Sequence, residues 1–354
     1  MVARLVIIAV MGLGSAVHAT ARAQAPPPVP IRGEARSVSG RVLNGSSGHG
    51  GGRRPMSQVW VTLHRIAPDS SAPLDSMRAG AAGQYAFRYT TFGDSTAVYL
   101  VAGNFGGIAY FADPLTQRTV SGVAAELIVY DTASHGVRVT VESRHVVVSA
   151  PNEAGQRRVV EVFMLANATD RTRVASATVP TFRATLPKGA TDPRVAEGAI
   201  DSDAMTFAGG IVEATAPVAP GTKRIAYSYQ LAVSTAPFGI SASDSTAMLE
   251  ILVEDSAATV SGEVVHEEAP AALSGRTFRR YTGQFVASTA ALRIVAPSGS
   301  DASIGAVRAV VLVIALGMAV VFVMALRRRS KSGALPFGEA SSDSVRLAPS
   351  DGAA

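Results

Sequence analysis

The 354-residue chain reads as mainly β, with two tandem antiparallel β-sandwich domains followed by one transmembrane α-helix. Three observations predict this. Short β-rich runs alternate apolar and polar residues between Gly-, Pro- and Ser-rich turns. No stretch before residue 304 sustains a helical period. Residues 304–326, IGAVRAVVLVIALGMAVVFVMAL, carry no charge from Ala309 onward. At about 1.5 Å per residue such a helix spans roughly 35 Å, enough for a hydrocarbon core of about 30 Å.

The helix has a predicted direction. Arg327, Arg328, Arg329 and Lys331 follow it at once, and basic residues accumulate on the cytoplasmic side. At the other end, Arg4 precedes the 13-residue apolar run LVIIAVMGLGSAV, and Ala21-Arg22-Ala23 supplies the small residues of a cleavage site. Residues 1–23 therefore read as a signal peptide. The alternative is an uncleaved amino-terminal anchor, for which the run is short. Small residues Ala315, Gly317 and Ala319 form only a weak helix-association motif within the span. Residues 327–354 read as a basic, disordered cytoplasmic tail. The expected product is a single-pass protein of the bacterial cytoplasmic membrane, its amino-terminal domains periplasmic or extracellular.

Composition takes its meaning from that layout. The net charge is +5, yet Arg4, Arg22, Arg327, Arg328, Arg329 and Lys331 all lie in or beside the targeting and anchoring segments. The exported part is thus close to neutral, which excludes nucleic acid as a partner. The chain has no cysteine. Disulfides, thiol catalysis and thiolate metal sites are excluded with it.

Residues 24–36, with Ala25-Pro26-Pro27-Pro28-Val29-Pro30, read as a Pro-rich linker. Residues 37–118 read as the first sandwich. Val59, Val61 and Leu63 share one predicted strand face, and Tyr85, Phe87 and Tyr89 another. Ser39-Gly40-Arg41-Val42, Val59-Trp60-Val61-Thr62-Leu63, Gly83-Gln84-Tyr85-Ala86-Phe87 and Tyr99-Leu100-Val101-Ala102 resemble the carboxypeptidase regulatory-like domain, over residues 37–112. The resemblance implies a prealbumin-like, carbohydrate-binding-like sandwich with a structural or binding role rather than catalysis. Two departures stand out: Gly80 replaces the usual Asp before the hairpin, and a long Gly-rich loop separates the first two strands.

Residues 124–297 read as a second, immunoglobulin-like sandwich. It opens with a strand at 126–130 and another in which Val137, Val139 and Val141 alternate with Arg138, Thr140 and Glu142. Further strands are expected near 145–149, 159–166, 181–186, 210–214, 224–234, 247–253 and 259–265, with closing strands within 276–297. Residues 298–303 form a predicted stalk.

No nucleophile elbow, HExxH or phosphate-loop motif is present. His135 and His145 can meet across a hairpin, but without a carboxylate signature they make a weak metal site. Asp201-Ser202-Asp203 lacks the rest of a calcium loop. His266-Glu267-Glu268 reads as a charged strand end, and Asn167-Ala168-Thr169 as an incidental glycosylation sequon. No catalytic residue, cofactor or metal is expected. Among the aromatic residues, Phe105 in the Asn104-Phe105-Gly106-Gly107 turn and Trp60 are the candidate contacts for a glycan or protein partner.

The function expected from the sequence is a membrane-anchored envelope protein presenting non-enzymatic β-sandwich interaction or structural modules. The alternatives are a module binding cell-wall or envelope glycan, and a hydrolase with an unrecognised carboxylate site.

Overall fold

A computed structural model describes residues 33–46, 52–196, 202–241, 245–273, 275–287 and 291–295. The expected signal peptide, most of the linker, the stalk, the transmembrane segment and the tail with Arg327, Arg328, Arg329 and Lys331 lie outside the described residues. Within them the chain is mainly β, interrupted by three short 3-10 turns. No helix among the described residues is long and apolar enough to cross a membrane.

The chain divides into two units, one of residues 1–43 and 55–128, the other of residues 44–54 and 129–354. Of the described residues, 44–46 and 52–54 group with the second unit, a partition that sequence order does not reveal.

Two sheets build the first unit. In one, Ala35–Asn44 pairs antiparallel with Gln84–Thr90 and parallel with Thr119–Ser121. The other is four-stranded, in the order Ser71–Arg78, Trp60–Ile66, Val98–Phe105, Ile108–Phe111. Val38, Val42, Val61, Leu63, Phe87 and Val101 form the buried interior. The expected alternation is visible in Gln84–Thr90, where Tyr85 and Phe87 are buried while Tyr89 is only half-buried. Gly40 has a packing reason. A Cβ built there would lie 1.9 Å from the carbonyl oxygen of Ala125, a separation that only a residue without a side chain escapes.

Leu127–Val129 differs from expectation. The sequence reading gives this segment to the second sandwich, yet it pairs with Ala35–Asn44 and buries both Leu127 and Val129. An apolar strand beside a sheet with an open position is most stable where its backbone groups find partners.

A seven-stranded sheet forms the main layer of the second unit, in the order Thr191–Val195, Gly221–Ala232, Gln156–Asn167, Val139–Val148, Thr246–Val253, Arg276–Val286, His266–Leu273. Two three-stranded sheets, Phe182–Thr185, Ile211–Ala214, Met205–Ala208 and Phe238–Ser241, Ala291–Val295, Thr259–Ser261, and the short parallel pair Thr132–Ala133 with Thr172–Arg173 supply the rest. Val146, Phe163, Tyr227 and Ile251 of the large sheet share one buried cluster with Phe182, Val212, Ile240 and Ile294 of the small ones.

The expectation of wholly antiparallel sheets is corrected in both units. Val139–Val148 pairs parallel with Thr246–Val253, as Ala35–Asn44 does with Thr119–Ser121. Parallel neighbours need long crossover connections. Here roughly a hundred residues separate the first pair, and period-2 patterning is the same for either direction.

Candidate functional site

The strongest candidate is the outward face of the four-stranded sheet in the first unit. In Trp60–Ile66 the even positions face out, because Val61, Leu63 and Arg65 are buried. Trp60 stands across from Arg78 on one side and Asn104 on the other. Thr62 stands across from Ser76 and Ala102, and Ala102 in turn from Phe111. Ile66 faces Val98. Four large apolar side chains thus share one solvent-facing surface: Trp60 is 49% exposed, Ile66 46%, Val98 40% and Phe111 62%. Exposed apolar side chains gathered on one sheet face are candidates for an interaction site.

Polar groups are interleaved with it. The Arg78 guanidinium lies 4.7 Å from the centroid of the Trp60 ring and donates a hydrogen bond to the Gln58 carbonyl at 3.1 Å. The Thr62 and Ser76 hydroxyls are 3.0 Å apart. Asn104 is exposed beside Trp60. Aromatic rings for stacking and short polar side chains for hydrogen bonding therefore stand on one flat surface.

Of the two residues singled out from sequence, the structure keeps one on this face. Phe105 follows Asn104 and so takes the parity of Tyr99, Val101 and Gly103, which face inward; it is half-buried. Phe111, one of the clustered aromatics of the sequence but not one singled out there, takes its place. A signal for it exists in the sequence. Gly106 and Gly107 both have positive φ, the backbone of a two-residue hairpin turn, which sets Phe105 opposite Ile108 and sends Tyr110 in and Phe111 out.

A buried arginine supports one end of the unit. Arg65 donates to both carboxylate oxygens of Asp69 at 2.8 and 2.9 Å, to the Ser70 carbonyl and hydroxyl, and to the Phe92 carbonyl, with its guanidinium over the Phe92 ring. Asp69 is held below the usual carboxylate range: burial opposes the shift, and the Arg65 hydrogen bonds and charge, together with the Asp94 and Ser70 backbone N–H groups, outweigh it. The side chain ties the 67–70 and 91–94 loops together.

The second unit holds one ion pair fully inside. Arg144 and Glu161, 2% and 0% exposed, form an ion pair at 2.6 Å, and the Tyr229 hydroxyl donates to the other Glu161 oxygen at 2.9 Å. Burial, then the Glu161 charge, pushes the Tyr229 hydroxyl far above its ordinary pKa. The carboxylate is neutralised and walled in by Phe163 and Tyr227, so the arrangement is that of a structural core pair.

The remaining sequence candidates do not converge. His135 meets the Ser134 hydroxyl, whereas His145 meets Glu250 at 2.8 Å, so the two histidines are not partners. Glu250 also accepts from Arg280 at 2.7 Å. Among the described residues no group of three or more His, Asp or Glu side chains is placed to hold a metal ion. The amide of Asn167, buried, donates to the Arg171 and Val218 carbonyls and accepts from Thr169, so the sequon asparagine is occupied by turn hydrogen bonds. Glu267 and Glu268 of His266–Leu273 are exposed on an edge strand. Asp201 lies outside the described residues.

No family model and no curated protein matches the chain. Among solved structures it is similar to the crystal structure of shaft pilin spaA from Lactobacillus rhamnosus GG, at 12% identity and a TM-score of 0.19. That match covers 37% of this chain and 63% of the pilin chain, less than two thirds of its length. A likeness of this size says nothing about function.

Proposed function

We propose that the chain is a single-pass, membrane-anchored envelope protein that presents non-enzymatic β-sandwich modules outside the cytoplasm, the first of them of the carboxypeptidase regulatory-like kind. One observation carries the reading: the apolar 304–326 segment, with Arg327, Arg328, Arg329 and Lys331 behind it, follows a chain that is β-rich throughout its described residues. The buried Arg144–Glu161 pair of the second unit and the outward apolar face of the first support display and recognition rather than turnover.

Topology is the test. The chain has no cysteine, so a single one can be introduced as a reporter. Gly52 is exposed, and a Cβ added there meets nothing within 4 Å. The Gly52→Cys chain should react with a membrane-impermeant maleimide in cells whose outer barrier alone is opened. Labelling only after lysis of the inner membrane overturns the proposal.

A further inference from the structure

We propose that the outward face of the four-stranded sheet is a docking surface for an acidic oligosaccharide, with Trp60 and Phe111 stacking on sugar rings and Arg78 meeting a carboxylate. The inference rests on the display reading, which places this face where envelope glycan is found.

Size comes first. Strands about 4.8 Å apart and about 3.4 Å per residue give a surface of at most roughly 19 by 24 Å, narrower at the four-residue Ile108–Phe111. That is room for a short oligosaccharide.

Shape argues next. Peptides are bound in grooves or along unpaired strand edges, where their main chain finds hydrogen bonds. This face is the flat side of a sheet whose backbone bonds lie in its own plane. A pyranose ring presents an apolar face of C–H bonds, which an aromatic side chain matches, and a rim of hydroxyls. Asn104, Thr62 and Ser76 offer donors and acceptors at the height of that rim. Trp60 and Phe111 are two strands and two register positions apart, a Cα separation of about 12 Å, which calls for more than one sugar ring.

Charge decides the ligand's sign. Arg78 is the cation of this face, and among the described residues no carboxylate pairs with it. The regular outward positions of the sheet hold no Asp or Glu; the exposed Asp75 stands at the register irregularity, where it accepts from the Ser76 backbone N–H. A guanidinium fixed over an aromatic ring, with donors left over, suits the planar carboxylate of a uronic acid.

Trp60 is the sole tryptophan of the chain and reports directly on the site. Purified full chain in detergent micelles is titrated with galacturonic acid oligomers and, in parallel, with neutral cello-oligosaccharides. The expected result is a saturable change in tryptophan emission with the acidic oligomer, and binding weakened at least about tenfold, or roughly 1.4 kcal/mol, in Phe111→Ala. Arg78→Gln, measured by calorimetry because Arg78 touches the fluorophore, should lose the preference for the acidic oligomer. The proposal is overturned by no saturable change with the acidic oligomer, by equal binding of the neutral one, by unaltered affinity of Phe111→Ala, or by emission that follows protein concentration alone. The titration uses purified protein, so it is independent of membrane orientation. Sugar binding with a shielded Gly52→Cys defeats the topology alone, and accessible Gly52→Cys without sugar binding defeats the docking surface alone.

Discussion

Trp60 and Phe105 lie on neighbouring strands of one sheet and face opposite sides of it. Trp60 stands directly across from Asn104, so the next residue, Phe105, turns inward with Val101 and Gly103. A recognition surface that uses Trp60 cannot use Phe105.

Truncation should separate their roles. Phe105→Ala, removing half-buried apolar surface, is expected to lower stability by about 1–2 kcal/mol. Phe111→Ala, taken from a 62% exposed side chain, should stay within about 0.5 kcal/mol of wild type. Chemical denaturation of both variants checks this, and equal losses would contradict the assignment of faces.

The buried pair in the second unit should be unforgiving of partial removal. Glu161→Gln leaves the Arg144 charge without its counter-ion, at an expected cost of about 3–5 kcal/mol. In a unit of this size that corresponds to a fall of roughly 10 °C in melting temperature. The double variant Arg144→Met, Glu161→Leu should recover much of the loss, because no uncompensated charge remains. A Glu161→Gln melting temperature equal to wild type would show that the pair is not buried in solution.

Gly40 offers a test of the first unit's packing. Gly40→Ala forces a methyl group against the Ala125 carbonyl and should cost about 1–3 kcal/mol through displaced backbone. Gly52→Ala, in open space, should cost far less. Comparable unfolding midpoints for the two variants would remove the close approach from the account.

Acid should weaken the second unit through Glu250. The His145 hydrogen bond, opposed by burial and reinforced by Arg280, holds its carboxyl below the ordinary value of 4.5. A depressed folded-state pKa contributes stability that is present above the unfolded pKa and is lost as pH falls through the folded one. Melting temperature should therefore drop as pH falls below about 4.5, and Glu250→Gln should flatten that part of the profile. An unchanged acid slope in the variant would locate the sensitivity elsewhere.

The strands were legible wherever one residue in two was apolar, as in Gln84–Thr90, where burial of a single sheet face writes period two into the chain. In Gly221–Ala232 both faces are buried, but the large residues Ile225, Tyr227, Tyr229 and Leu231 still alternate with smaller or polar ones. Strands with weak patterns were not. Ser71–Arg78 and His266–Leu273 expose most of their side chains and are held chiefly by hydrogen bonds to one neighbour, a constraint that leaves little trace in composition. The candidate face was half legible. Trp60 stood out as an aromatic on an otherwise inward-patterned strand, whereas Phe111 needed the register imposed by Gly106 and Gly107.

What the sequence determined by itself was local: the β periodicity, the absence of disulfides, and an apolar segment of membrane-spanning length with a basic flank. Tertiary structure decided what depends on partners distant in the chain. The alternation beginning at Val139 and Val141, continued by count, would point Arg144 outward. A register shift between Val141 and Ser143 inserts one residue and reverses the faces, sending Arg144 into the core to meet Glu161. Parallel pairing and the shared face of Trp60 and Phe111 have the same origin. Each is fixed by hydrogen-bond register between strands, and register belongs to pairs of segments rather than to either one alone.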